Sequence, residues 1–128
     1  MSQRGFRIPK ESEHSHQVTL FQWASMESKH LSELALMFAI PNAGAGAQSG
    51  QAGKMKGEGV KAGVPDLLLP AARGIYHGLF VEMKFNKNKP NPQQLWWHSR
   101  LEEQGFKVVV CYAWHEAKDV ILAYLEMK

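Results

Sequence analysis

The chain contains 128 residues with a mass of 14.4 kDa and a formal net charge of +3, a size typical of one domain and a charge that permits a polyanionic partner. Hydrophobic residues make up 45% and charged residues 21%, which excludes a disordered chain, a collagen-like rod and a coiled coil. The single cysteine, Cys111, excludes an internal disulfide and a zinc finger, and no apolar run is long enough for a membrane span or a secretory leader. We therefore expect a soluble, cytoplasmic protein.

The first half of the chain is predicted to contain an arm, a helix, a strand and a loop. Residues 1–10 lack periodicity and are predicted to be a flexible arm. From 11 to about 28, apolar residues recur at helical spacing, with Ser12 available as the N-cap, which predicts a helix. Residues 36–40 are predicted to be a strand. Segment 43–63 contains seven glycines and is predicted to be a flexible surface loop, because its spacing fits neither the dinucleotide-binding nor the P-loop motif.

The second half is predicted to contain a hairpin followed by helix, strand and helix. VPDLLLP and HGLFVEMKF read as two strands paired about Gly74. Residues 92–104 form a predicted helix with Leu95, Trp96 and Leu101 on its apolar side and Gly105 as its stop. VVVCYA predicts a strand, and HEAKDVILAYLE predicts a closing helix. This order predicts an α/β domain with a central mixed β-sheet flanked by helices.

The hairpin carries the residues that indicate chemistry. Pairing about Gly74 places Asp66 opposite Glu82, and strand alternation puts Lys84 on the same face as Glu82 and Met83 on the opposite face. Paired carboxylates on rigid strands suit a hard divalent cation such as Mg²⁺. A lysine beside them can position a water molecule or offset charge on a phosphate in the transition state.

The spacing of these residues resembles that of the PD-(D/E)XK nucleases, because Pro65-Asp66 is followed after fifteen residues by Glu-x-Lys. The wider context resembles their VRR-NUC branch, the virus-type replication-repair nuclease domain. The resemblance covers residues 13 to 125. The chain resembles a stand-alone member of the phage or prophage type, in which residues 11–128 would form a single nuclease domain. The other matching features are Glu13 and Gln17 in the first predicted helix, PN at 41–42, GVKAGVPDLLLP from Gly59, GLFVEMK from Gly78, and NPQQ before the tryptophan-rich helix.

The resemblance implies a restriction-endonuclease-like core and a set of site residues. It implies that Asp66, Glu82 and the backbone carbonyl of Met83 bind Mg²⁺ or Mn²⁺, that Lys84 is the catalytic lysine, and that Gln94 lies at the edge of the active site. The acid of the first helix is either Glu11 or Glu13. We choose Glu13 because Gln17, four residues further on, shares its helical face.

The expected function is a metal-dependent endonuclease that hydrolyses DNA phosphodiester bonds. The resemblance implies action on branched DNA such as a Holliday junction, and a homodimer would place two sites about a two-fold axis. One alternative is a nuclease of the same chemistry that nicks or resects without junction preference, and another is a non-catalytic nucleic-acid-binding module. Two basic segments are candidate contacts to the DNA backbone, the first containing Lys54, Lys56 and Lys61 and the second containing Lys87 and Lys89.

Overall fold

The computed structural model describes residues 12–42 and 51–128, except for the side chains of Gln51 and Ala52. The predicted arm, Glu11 and residues 43–50 of the glycine-rich segment lie outside the described residues. The elements are α1 (Glu13–Glu27), a 3₁₀ turn (Ser32–Leu36), β1 (Phe38–Ala39), α2 (Gln51–Gly57), β2 (Leu67–Leu69), β3 (Leu79–Met83), α3 (Pro92–Glu103), β4 (Lys107–Cys111) and α4 (Trp114–Leu125).

The four strands form one mixed sheet in the order β1-β2-β3-β4. The first three strands pair antiparallel, and β3 pairs parallel with β4 through the crossover that contains α3. All five residues of β3 are buried. The predicted α/β class with a mixed sheet flanked by helices is confirmed.

Helices cover both faces of the sheet. On one face, α1 and α4 pack on the odd-numbered residues of the strands, and on the other face α3 and Phe106 pack on the even-numbered residues of β3. The apolar core therefore lies under α1 and α4, and the α3 side carries polar contacts. The buried core residues from the strands and α-helices are Leu20, Ala24, Leu67, Leu69, Leu79, Val81, Met83, Cys111, Ala117, Ile121 and Tyr124.

Local capping fixes where each of these helices begins. The Ser12 hydroxyl accepts the backbone N–H of Ser15 as predicted, and Asn91 caps α3 ahead of Pro92 in the same way. The start of α4 has no side-chain cap of its own, and instead Nδ1 of His16 accepts the N–H of Trp114 at 3.0 Å. This contact ties the first turn of α1 to the start of α4.

Two predictions about local structure are wrong, and a third is confirmed only in part. The glycine-rich segment is not loop throughout, because QAGKMKG forms α2, where lysine, methionine and glutamine favour a helix strongly enough to offset two glycines. The predicted apolar side of α3 does not face the core, since Leu95 and Trp96 are each 53% exposed. The buried residues of α3 are instead Gln94 and His98. The predicted strand at 36–40 is reduced to β1, because the preceding residues form the 3₁₀ turn.

Gly63 is held against the first turn of α3 in a conformation that favours glycine. Its φ is +93°, and a Cβ there would lie 2.8 Å from Cγ of Gln93 and 3.2 Å from the Gln93 backbone carbon. Gly59 has a similar φ of +97°, but a Cβ added there would have no atom within 4 Å, so a substitution at Gly59 would introduce backbone strain without a steric clash. We expect Gly59→Ala to cost about 1–2 kcal/mol of unfolding free energy and Gly63→Ala about 1–3 kcal/mol more, measured by urea denaturation. Equal losses would contradict close packing at Gly63.

Candidate active site

The β2–β3 hairpin brings Asp66 beside the end of β3. Leu67 pairs with Val81, so the register is the predicted one and sets Asp66 opposite Glu82. The backbone N–H of Asp66 donates to the carbonyl of Val81 at 3.1 Å, and Oδ2 of Asp66 accepts the N–H of Met83 at 2.6 Å. The Asp66 carboxyl is therefore anchored to the backbone of the neighbouring strand.

Glu82 is buried between the sheet and α3. Only 2% of its surface is exposed, and its two side-chain oxygens face two polar residues of the helix. Nε2 of Gln94 donates to Oε2 at 3.3 Å, and Nε2 of His98 lies 3.4 Å from Oε1. Among the described residues, every buried side-chain nitrogen or oxygen has a hydrogen-bond partner. Burying a carboxyl such as that of Glu82 would cost stability if it lacked hydrogen-bond partners, and Gln94 and His98 supply them.

The carboxyls of Asp66 and Glu82 cannot both ionise freely. Burial, the charge of Asp66 and the hydrogen bond to Asp66 raise the pKa of Glu82 to about 9. Burial also raises the pKa of Asp66, although the N–H of Met83 opposes this shift. Two adjacent carboxyls that retain a proton near neutral pH are a donor set that a hard divalent cation can occupy by displacing that proton. The residues therefore fit a hard divalent cation such as Mg²⁺ or Mn²⁺.

Lys84 lies just beyond β3, on the same side as Glu82. Its backbone N–H donates to the carbonyl of Cys111 at 2.8 Å, which continues the parallel pairing and keeps the strand alternation. The side chain is half-buried. Its positive charge lowers the pKa of both Asp66 and Glu82, against the effect of burial. The lysine charge thus acts on both carboxyls.

Glu13, the first residue of α1, lies at the margin of this group. It is half-buried, and its negative charge is the smallest of the influences that raise the pKa of Glu82. Within residues 12–42 and 51–128, no three side chains of the His, Cys, Asp and Glu types form a ready metal site, so Glu13 does not close a triad with the carboxyl pair. Gln17 is half-buried one turn further along α1.

Sequence patterns did not indicate His98, the second polar residue that α3 buries against Glu82. The available signal was its position four residues after Gln94, which places both side chains on one helical face. Burial lowers the pKa of His98, and the charge of Glu102 opposes that shift. A buried histidine beside a buried carboxyl is a contact that apolar periodicity does not reveal.

The five candidate DNA-contact lysines are all exposed. Lys54 and Lys56 lie on α2, and Lys61 lies in the turn after it. That segment joins α3 through the carbonyl of Ala62, which accepts Nε1–H of Trp97 at 3.1 Å. Lys87 and Lys89 lie in the loop that leads from β3 into α3. Both basic segments therefore connect to the helix that contacts Glu82.

A mixed sheet with a carboxyl pair and a lysine on its central hairpin defines an α/β domain with a PD-(D/E)XK-like nuclease fold. The sequence model of the VRR-NUC domain matches residues 7–114. The chain belongs to the VRR-NUC family of nuclease domains. Family membership implies nuclease function with DNA as the substrate, as expected from the sequence.

Solved structures similar to this chain include two VRR-NUC domains. One, a "VRR_NUC domain protein", is 27% identical with a TM-score of 0.76, and the match covers 94% of this chain and 93% of that one. The other, described as "VRR_NUC domain", is 24% identical with a TM-score of 0.49 and covers 85% and 97%. No curated protein matches the chain. No helix in the described parts of the chain is long and apolar enough to cross a membrane.

Proposed function

We propose that the protein is a Mg²⁺- or Mn²⁺-dependent endonuclease that hydrolyses phosphodiester bonds of DNA. The observation that carries this proposal is the pair formed by half-buried Asp66 and buried Glu82 beside the charge of Lys84. A purely structural role would favour apolar residues at these positions, because removing two adjacent carboxyls from water costs stability. Binding of a cation that neutralises the two carboxyls would explain why they are present at these positions.

Four groups are proposed to hold the ion. They are the carboxyls of Asp66 and Glu82, the backbone carbonyl of Met83, and the carboxyl of Glu13 in the first turn of α1, which would have to turn towards the pair when the ion binds. All are oxygen donors, which suits Mg²⁺ and Mn²⁺. When bound, the ion would neutralise negative charge on the phosphoryl oxygens in the transition state. Glu11, outside the described residues, is the alternative acid from the first helix.

Lys84 and Gln94 complete the proposed catalytic set. The Lys84 ammonium can orient the attacking water molecule or offset charge on the phosphate, and Gln94 orients Glu82 from the edge of the site. The water oxygen forms the new bond to phosphorus while the bond to the leaving alkoxide breaks. The alkoxide takes a proton from solvent, and the water loses one to solvent.

The exposed lysines are proposed to bind the DNA backbone, and branched DNA such as a Holliday junction is the proposed substrate. The five lysines lie on both sides of the β2–β3 hairpin in sequence, three before it and two after it, which supports contacts to more than one phosphate. A homodimer would supply two sites for two strands of a symmetric junction. We also propose a phage-type protein that acts in the host cytoplasm, with residues 1–10 as an arm and 11–128 as the nuclease domain.

Cleavage of supercoiled plasmid tests this function. The wild-type chain should nick plasmid with Mg²⁺ or Mn²⁺, and EDTA should stop the reaction. Asp66→Asn, which keeps the size of the side chain, should reduce nicking by about 100-fold or more because a ligand charge is lost. Asp119→Asn, an exposed acid on α4, is the matched control and should cleave like the wild type.

Each outcome separates the candidate functions. Equal cleavage by wild type and Asp66→Asn would contradict the site. DNA binding without cleavage by the wild type would favour the binding module. If the site is correct, a four-way junction and a linear duplex of the same sequence distinguish the branched-DNA enzyme from a nuclease that nicks or resects without junction preference.

A further inference from the structure

Helix α3 contacts both side-chain oxygens of Glu82. Gln94 reaches Oε2 at 3.3 Å and His98 reaches Oε1 at 3.4 Å, from positions one helical turn apart. Each of these two residues is 8% exposed, so water does not readily substitute for either contact. The strand fixes the Cα position of Glu82, and the two contacts from α3 fix the plane of its carboxyl.

The orientation of Gln94 is set by the cap of α3. Oε1 of Gln94 accepts the backbone N–H of Asn91 at 2.9 Å, and Oδ1 of Asn91 accepts the N–H of Gln94 at 2.8 Å. Since Oε1 is engaged there, the amide NH₂ faces Glu82. Gln94 alone would leave the carboxyl free to rotate about its last side-chain bond. The contact to His98 at the second oxygen removes that freedom.

We propose that His98 is a positioning residue that fixes the carboxyl plane of Glu82 and thereby favours Mg²⁺ over Mn²⁺. This inference rests on the proposed function of the same site. Mg²⁺ is small and requires near-ideal octahedral geometry, so it is sensitive to the angle at which a carboxylate approaches. Mn²⁺ is larger and accepts a wider range of approach. Partners that orient a metal ligand commonly affect metal affinity by 10–100-fold when removed.

Metal titration without DNA tests the proposal. Isothermal calorimetry with Mg²⁺ and Mn²⁺ should show that His98→Leu weakens Mg²⁺ binding by about 10–100-fold and Mn²⁺ binding by less. His98→Gln should recover most of the Mg²⁺ affinity, because its amide nitrogen can reach the place of the imidazole Nε2. His98→Asn is polar but too short to reach Oε1, and it should behave like His98→Leu. A purely structural role would not produce this selective loss and rescue.

His77→Leu is the matched control. His77 precedes β3 at the opposite end of the strand from Glu82, about 16 Å away along the sheet. This variant should bind both ions like the wild type. If His98→Leu does not fold, the comparison of His98→Asn with His98→Gln gives the same answer, because both retain a polar amide.

The two possible failures are distinguishable. If the wild type binds neither ion and does not nick plasmid, the proposed function is wrong and the role of His98 is wrong with it. If the wild type binds Mg²⁺ and cleaves, but folded His98→Asn has the same affinity for both ions, the inference alone is overturned. An equal loss for Mg²⁺ and Mn²⁺ would also overturn the proposed preference.

Discussion

Replacing Lys84 by methionine should lower the rate of DNA cleavage by about 10³-fold, because the change removes the ammonium group and keeps the length of the side chain. The positive charge of Lys84 acts on both Asp66 and Glu82, which supports its proposed role of offsetting negative charge on the phosphate. The lysine is not a proposed ligand, so the rise in melting temperature on addition of Mn²⁺ should persist. Plasmid nicking and thermal denaturation measure the two effects separately.

Lys107→Met supplies the matched control for this experiment. Lys107 begins β4 at the far end of the sheet, is half-buried like Lys84, and lies over the ring of Tyr76 at 5.2 Å. Its loss should leave the cleavage rate within about twofold of the wild type, since surface changes away from a site have small effects. Lys84→Arg keeps the charge and should retain more activity than Lys84→Met. Full activity of Lys84→Met would show that the lysine does not act in the reaction.

The register of the hairpin was predictable because both strands are short, apolar and separated by one glycine turn. The turn itself pairs Arg73 with Tyr76, and Gly74 has a φ of +57°. The pairing of Arg73 with Tyr76 is centred half a residue beyond Gly74. Three residues separate Leu69 from Arg73 but only two separate Tyr76 from Leu79, and this extra residue brings the strands back to a register centred on Gly74. Centring on Gly74 therefore gave the correct partner for Asp66.

The side of α3 that faces the sheet was not predictable from apolar spacing. Hydrophobic periodicity assumes that a helix buries its apolar residues, but α3 packs on the face of β3 that carries Glu82. The polar residues Gln94 and His98 are buried there, and Trp96 lies at the surface beside the guanidinium of Arg100. The position of Glu82 on β3 decides which side of α3 is buried, and the spacing of apolar residues within α3 contains no information about that position.

Glu82→Gln should stabilise the metal-free protein at neutral and alkaline pH. The pKa of Glu82 is about 9 in the folded protein and near its ordinary value of 4.5 in the unfolded chain. Between these values the folded state holds a proton that the unfolded state has lost, so the stability of the wild type falls as pH rises. The introduced amide is neutral throughout and can still contact Gln94 and His98. In EDTA at pH 8 we expect the variant to be about 1–3 kcal/mol more stable.

Urea denaturation of the wild type and Glu82→Gln at pH 5, 6.5 and 8 measures this difference, which should shrink towards zero as pH approaches 4.5. Glu126→Gln, an exposed acid after α4, should change the unfolding free energy by less than about 0.5 kcal/mol. Adding Mn²⁺ at millimolar concentration should reverse the order, because only the wild type keeps both charged ligands and gains stability from binding. If the variant were less stable than the wild type in EDTA at pH 8, Glu82 would be ionised and paired in the resting protein. The neighbours of this carboxyl would then offset the cost of burying it, and the pair would not require a cation.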